Sequence, residues 1–327
     1  MTKYYAQGIT IANQGGLYTV AVDKAEGCPL SDTTVSCTAK GVFRHRDERP
    51  KVGDRVRISF TDHSFSTDGE GSVTVSESFT DICVCEILDR KNTFIRPPVS
   101  NIDCILIVLS ARSPKTDTLV ADKLISIAEY NHAEPIIIIS KSDLDESTAD
   151  ELYVIYKKAG FDTFLTSSEE GGGIDSLNER VRDILGEGKV IAFAGASGVG
   201  KSTLINKLFP SFGIATGDVS RKTERGKHTT RAVTLYPACG GYLADTPGFS
   251  MLDFEHFDFF ELPDLVHTFR DFEPLLSECR YTDCTHTKEE ECGITRALRD
   301  GRISRSRHES YLNLYQTLKN KPTWKKG

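Results

Sequence analysis

The reading of this chain turns on Gly195-Ala196-Ser197-Gly198-Val199-Gly200-Lys201-Ser202, followed by Thr203. The stretch satisfies G-x-x-x-x-G-K-[ST]. The apolar run Val190–Ala194 leads into it as a strand, and Thr203–Phe209 leads out with helical spacing. Its glycines let backbone N–H groups turn inward around phosphate oxygens at the positive end of the helix. Lys201 is placed to neutralise the β- and γ-phosphates, and the Ser202 hydroxyl to ligate Mg²⁺. Strand, loop and helix together make a chance Gly-rich turn a poor account. The motif specifies a nucleoside triphosphate, but not which one.

Downstream, Tyr242–Ala244 reads as a strand ending in Asp245-Thr-Pro-Gly248. An Asp at a strand tip can hold Mg²⁺ through water, and Gly248 can offer its N–H to the γ-phosphate. Upstream, the strand 136–139 ends in Ser140-Lys141-Ser142-Asp143. This resembles the N-K-x-D motif of GTPases, in which the Asp accepts from guanine N1 and N2 and the Lys stem packs along the base. Adenine lacks those donors, and an unmet buried carboxylate would reject it. Ser140 stands where the motif usually has Asn, so nucleotide affinity is expected to fall while guanine selection by Asp143 survives. Ser167 and Ser168, ahead of a Gly run, fall where GTPases place the loop that meets the guanine carbonyl; the match is loose, and taken alone a serine-rich turn explains them better.

In an ordinary GTPase the base motifs follow the phosphate motifs, and here they precede them. The same sheet still forms if the chain is cut after Gly248 and the original ends are joined by a helix at 174–185 running into a strand at 189–194. The segment after Gly248, which senses the γ-phosphate, would then pass directly into the C-terminal residues, the layout of a conformational switch.

Working outward, 102–194 alternates apolar strands with amphipathic helices at about 117–131, 146–160 and 174–185, which implies a mostly parallel sheet covered on both faces. Residues 1 to about 92 read as short alternating strands broken by Gly15-Gly16, Gly53-Asp54 and Asp68-Gly69, suggesting a small OB-like β-barrel. Beyond about Met251 the pattern dissolves, and Cys279-x₄-Cys284-x-His286-x₅-Cys292 follows. Three thiolates and an imidazole within 14 residues make a Cys₃His set for closed, structural Zn²⁺. The expected fold is therefore multi-domain: an N-terminal β-barrel over 1–92, a central α/β P-loop GTPase domain in circularly permuted order over 93–252, and a mainly helical zinc-binding domain over 253–327.

The net charge of −7 announces no nucleic-acid binder, but basic residues concentrate locally. They do so in Lys40–Arg57, Ser220–Arg231 and from Arg296 onward, patches that suit a polyanion or a solvated face. The last of these, with Tyr311 beyond it, is expected to be available for RNA or protein contact. The 39% hydrophobic content is ordinary for a soluble protein, and the N-terminus lacks the pattern of a signal peptide. Nine cysteines without an export signal point to the cytoplasm. No apolar run approaches membrane-spanning length. No apolar stripe marks a dimer face, so a monomer is expected.

Beyond the permuted order, Asn101-Ile-Asp103, Val219-Ser-Arg-Lys222, Arg225-Gly-Lys-His-Thr-Thr230, the Cys₃His cluster and Arg307-His-Glu-Ser-Tyr311 resemble one family over essentially the whole chain: the circularly permuted, small-subunit-dependent ribosomal GTPases of the RsgA type. The resemblance implies an OB barrel, a permuted GTPase domain and a zinc domain. It also implies GTP hydrolysis to GDP, stimulated by the 30S subunit with its 16S rRNA during late maturation. Where Ras-like proteins carry a water-positioning Gln, this chain has Phe249. His228, beside the candidate Mg²⁺ contacts Thr229 and Thr230, is the side chain best suited to orient water; contact with RNA phosphate is the other role open to it. Two other readings stand beside the ribosome-assembly GTPase. One is a P-loop ATPase or kinase, against which Lys141 and Asp143 speak. The other is an RNA-binding switch or scaffold with little hydrolysis, against which Lys201, Ser202 and Asp245 speak.

Overall fold

The computed structural model describes residues 3–26, 33–45, 48–61, 65–67, 73–75, 82–167, 172–210, 233–245 and 259–321. Among the expected site residues, Ser168, His228, Thr229, Thr230 and Gly248 lie outside these ranges, as does the basic stretch around Ser220–Arg231. In chain order the first elements are β1 (Lys3–Gln14), β2 (Leu17–Glu26), β3 (Thr34–Ala39), the short α1 (Val42–His45), β4 (Arg55–Thr61), β5 (Phe65–Thr67), β6 (Val73–Val75), β7 (Cys83–Ile87), β8 (Thr93–Phe94) and β9 (Val99–Ser100). Then come β10 (Cys104–Ser110), α2 (Thr118–Tyr130), β11 (Glu134–Ser140), α3 (Glu146–Lys158), β12 (Asp162–Leu165), α4 (Ile174–Gly186), β13 (Val190–Ala194), α5 (Lys201–Leu208), β14 (Thr234–Ala238), β15 (Gly241–Asp245), α6 (Gly293–Arg299) and α7 (Arg305–Lys319). The chain divides into two compact units, one of residues 1–102, 188–190 and 228–247, the other of 103–187, 191–227 and 248–327.

In the first unit, period-2 alternation sends every second residue inward. Tyr18, Val20 and Val22 of β2, Val35 and Cys37 of β3, and Val56, Ile58 and Phe60 of β4 share one core with Ile82 and Val84. β1 pairs with β2 and, from Lys3↔Thr61 to Ile9↔Arg55, with β4. Its register shifts between Gln7 and Gly8, where a Cβ on Gly8 would sit 2.2 Å from the Ala21 carbonyl oxygen, so no larger residue fits. Farther along, Ala12 of β1 pairs with Thr234 of β14, which forms an antiparallel hairpin with β15. The expected free-standing OB-like barrel is thereby corrected. The N-terminal strands do not stand as a barrel by themselves: their sheet runs on through β1 into a hairpin from residues 234–245. Alternation reports which face of a strand is buried, but not which distant strand lies beside it.

A buried carboxylate holds the end of this unit together. Asp54 accepts the Lys51 N–H at 2.7 Å, the Ser100 hydroxyl at 2.5 Å, and two N–H groups of the Arg90 guanidinium at 2.7 Å each. Asn101 carries the join onward, donating to the Gly53 carbonyl at 2.8 Å and accepting from the Lys91 N–H.

The second unit contains a parallel sheet in the order β12-β11-β10-β13. Cys104–Leu109 and Ile136–Ile139 are apolar without interruption because helices cover both faces of a parallel sheet. Asp117 and Asp145 start α2 and α3 by accepting the N–H of Leu119 and Thr148. The chain winds outward from β10 through β11 to β12, then returns to β13 on the other side of β10. The carboxyl ends of β10 and β13 therefore flank a topological switch point, the place where open α/β sheets bind ligands.

The same unit includes residues 259–321, two 3₁₀ segments (Leu262–Thr268 and Glu273–Glu278) followed by α6 and α7. Phe269, Phe272 and Tyr311 pack ring against ring, with centroids 5.0–5.4 Å apart. Arg307 of α7 is wholly buried, 2.6 Å from Asp122 of α2 and 2.7 Å from Asp271, with its guanidinium over the Phe269 ring. Burial opposes its charge, yet the two carboxylates hold its pKa above the ordinary arginine value. Arg307 and Tyr311 therefore face inward and are not available for RNA or protein contact as the composition of this stretch suggests. Arg296 and Arg302 pair with Glu278, and Arg305 with Glu309. No helix among the described residues is long and apolar enough to cross a membrane.

Replacing Arg307 by Met strands two buried carboxylates and is expected to lower stability by about 3–5 kcal/mol. Urea unfolding followed by fluorescence measures this; a loss under about 1 kcal/mol would show that the pair contributes nothing its solvation cost does not cancel.

Candidate functional site

The phosphate loop leaves the end of β13 and turns sharply into α5. Gly195 adopts φ +135°, and a Cβ there would lie 2.4 Å from the Val108 carbonyl oxygen, so this turn requires glycine. Gly200, at φ +99°, caps the first turn of α5. The Lys201 ammonium donates to the carbonyls of Gly195 at 2.8 Å and Ala196 at 2.6 Å, so its charge sits inside the loop it follows.

Three other loops at the carboxyl edge of the sheet meet this one. Ser140 ends β11 opposite Ser110 of β10, and its hydroxyl lies 2.8 Å from the Leu109 carbonyl and 2.6 Å from that of Val199. Lys141 takes up a left-handed backbone (φ 56°), which aims its Nζ at the carbonyls of Ser113 (2.5 Å) and Gly198 (3.0 Å). The Ser142 N–H donates to the Thr166 carbonyl at the end of β12, and Lys207 of α5 donates to the carbonyl of Ser167. Ser140–Asp143, Ser167 and Gly195–Ser202 thus come together although some 60 residues separate them along the chain. Among the described residues, no hydrogen-bond partner reaches Asp143 Oδ1, which is buried. A buried carboxylate oxygen without a donor is what a guanine N–H could satisfy. Asp245 stands at the tip of β15, paired across the hairpin with Thr234.

The second candidate site is the Cys₃His cluster. Ligand atoms of Cys279, Cys284, His286 and Cys292 all lie within 4.8 Å of one another. His286 Nδ1 is 3.5 Å from the sulfurs of both Cys279 and Cys292, which are 4.0 Å apart. Tetrahedral Zn²⁺, with bonds of about 2.3 Å to sulfur and about 2.0–2.1 Å to nitrogen, spaces its ligands by about 3.8 Å (S···S) and about 3.5 Å (S···N). Cys279, Cys292 and His286 are therefore already spaced for structural zinc, with Cys284 inside the same 4.8 Å cluster. Burial lowers the His286 pKa, favouring the neutral imidazole that a metal ligand must be.

The residues that hold these ligands were not visible in their spacing. His286 has a left-handed backbone (φ 60°); its carbonyl lies 3.0 Å from His308 Nε2, and the preceding Thr285 carbonyl accepts the Tyr311 hydroxyl at 2.9 Å. The Gly293 N–H points at the Cys279 sulfur from 3.3 Å. Glu289 collects the N–H groups of Thr285, Thr287 and Lys288 and the Thr285 hydroxyl. Burial opposes its ionisation, but these donors hold its pKa down at about 2. Because the folded value lies below the ordinary one, the stability this gives is present above about pH 4.3 and fades as pH falls toward 2. His308 and Tyr311 belong to the quoted Arg307–Tyr311 run; nothing in the spacing singles out Glu289.

A P-loop at the switch point, meeting the Ser140–Asp143 loop that arrives earlier in the chain, is the arrangement of a circularly permuted P-loop GTPase. A family model described as RsgA GTPase matches residues 87–255, and one described as the RsgA N-terminal domain matches 7–67. The chain belongs to the RsgA family of GTPases and is a GTP hydrolase. The small ribosomal subunit biogenesis GTPase RsgA of Ruminiclostridium cellulolyticum is 36% identical over 321 residues, covering 97% of this chain and 95% of the relative. That of Bacillus subtilis is 35% identical over 320 residues, covering 96% and 98%. Among solved structures, YjeQ from Thermotoga maritima matches with a TM-score of 0.73 at 29% identity, over 97% of this chain and 100% of that one. YloQ, a circularly permuted GTPase, matches at 0.70 and 33%, over 98% and 97%.

Glu289→Gln removes the charge that gathers the ligand loop and is expected to speed zinc release at neutral pH. Transfer to a colorimetric chelator measures it; release as slow as from the unaltered chain would mean that the backbone alone shapes the loop.

Proposed function

We propose that this chain binds the small ribosomal subunit, through its 16S rRNA, and hydrolyses GTP there late in subunit maturation. The observation that carries the reading is the convergence of Lys141, Asp143 and the loop Gly195–Ser202 at one sheet edge, with Asp143 Oδ1 buried and, among the described residues, unpartnered. Asp143 selects guanine by accepting its N–H groups, Lys141 lies along the base, and Ser142, Ser167 and Ser168 border it. The N–H groups from Gly195 to Thr203 cradle the phosphates, and Lys201 neutralises the charge that gathers there during transfer. Mg²⁺, held by Ser202, Thr229 and Asp245, supplies further charge neutralisation when bound. Thr230 and Gly248 complete the γ-phosphate contacts.

Phe249 cannot orient water, and we assign that task to His228, whose imidazole can accept a proton at neutral pH. The small subunit stimulates hydrolysis, so intrinsic turnover is slow. Zn²⁺ on Cys279, Cys284, His286 and Cys292 is structural, since four protein ligands leave no position open for chemistry. The reading places a monomer in the cytoplasm, with its working parts falling within 1–92, 93–252 and 253–327.

Phosphate release from GTP by the purified chain, with and without 30S subunits and with ATP as control, tests this. Strong stimulation by 30S, no turnover of ATP, and loss of the stimulated rate in His228→Ala are expected. Equal rates with and without 30S would remove the ribosome as activator.

A further inference from the structure

Between α3 and the start of α7 lies an open groove of about 630 Å³. Asp150, Glu151 and Val154 of α3 line it from one side, and Arg305, Ser306 and Glu309 of α7 from the other. Lys158 of α3 donates to the carbonyl of Gly301, just ahead of α7, so the two walls are tied together. Val154 is 60% exposed, more than any other large apolar side chain among the described residues. A lone exposed aliphatic means little on a convex surface. This one sits in a concave one, with carboxylates three and four residues before it on the same helix face. Three carboxylates and one guanidinium line the groove, and Arg305 is already paired with Glu309 at 2.8 Å. The groove is therefore acidic around an aliphatic centre. The Ser306 hydroxyl oxygen is shut off from solvent and has no hydrogen-bond partner among the described residues, a polar group left unmet in the wall.

We propose that the α3–α7 groove docks a Lys- and Arg-rich protein segment supplied by the small ribosomal subunit. This rests on the reading of that subunit as the partner. A ribosomal subunit offers both RNA and protein, and charge decides between them. Carboxylates repel phosphates, so RNA gains nothing at Asp150, Glu151 and Glu309. A protein that itself binds RNA carries basic segments. Such a segment finds counter-charges here, and Val154 between them accepts the aliphatic stems of its long side chains. Its backbone brings a donor or an acceptor at each residue, which the Ser306 hydroxyl lacks. The groove thus gives the chain a protein contact separate from any contact with RNA.

The test uses the full-length, zinc-loaded chain and purified 30S subunits. Co-sedimentation gives the affinity of the unaltered chain and of the double variant Asp150→Lys, Glu151→Lys, both positions being exposed. Binding about tenfold weaker in the variant is expected, although the chain as a whole has become more positive. Affinity equal to that of the unaltered chain, or tighter, would overturn the proposal, because a groove turned toward RNA gains from added positive charge and one turned toward solvent loses nothing. In a second measurement p-benzoyl-phenylalanine replaces Val154 and the complex is irradiated. An adduct on a Lys- or Arg-rich peptide of a subunit protein is expected; an adduct on 16S rRNA, or none, would overturn the proposal. Val154 is exposed, so this variant keeps the test open should the charge reversal unfold the chain, as its melting curve will show. Failure of the unaltered chain to bind 30S would overturn the reading of the partner and the proposal together.

Discussion

Phosphate binding by backbone places a double demand on one short loop. The N–H groups must converge on the ligand, and the carbonyls on their other side must find donors in a place where water is scarce. In this chain the donors come from the adjoining strand end. The sheet order β11-β10-β13 sets that strand end beside the loop, with β10 between them as a spacer. The P-loop, the Ser140–Asp143 loop and the sheet register are therefore one arrangement. A shift of β11 by one residue would turn Ser140 to the opposite face and leave the Val199 carbonyl unserved.

This also explains why the motif order can be permuted without loss of the site. Parallel strands interact through their neighbours, and nothing in the β10–β11 or β10–β13 ladders records which strand was made first. What the permutation changes is where the free ends fall. It frees the tip of β15 to lead onward into the C-terminal residues. Those residues return to α2 through Arg307, which reaches Asp122 and Asp271 at once. One turn farther along α7, Tyr311 reaches the Thr285 carbonyl, so a single helix joins α2 to the Cys₃His loop.

Much of this was legible because the physics is local. The phosphate loop, the apolar parallel strands and the Cys₃His ligands each declare themselves within a few residues. The cap residues Asp117 and Asp145 announce α2 and α3 in the same way. The rest depends on partners far away in the chain. The pairing of Ala12 with Thr234 leaves no trace in the alternation of either strand. Arg307 looks like one more cation in a basic stretch, because only tertiary structure supplies the two carboxylates that allow it inside. Ser140 reads as a weakened asparagine until its two carbonyl neighbours are seen. Glu289 reads as one of several acidic residues until the loop folds around it.

The pairing of β1 with β14 has a consequence for how the protein is made. The two partners are about 220 residues apart, and translation at roughly 5–20 residues per second puts tens of seconds between their emergence. Throughout that interval β1 lacks its last neighbour, and the first unit cannot be completed before the phosphate loop has already been synthesised. The N-terminal strands come first in the message and are finished late. A nascent chain halted between β4 and residue 234 leaves the end of β1 around Ala12 as an open strand edge, the feature most prone to pairing with the wrong chain.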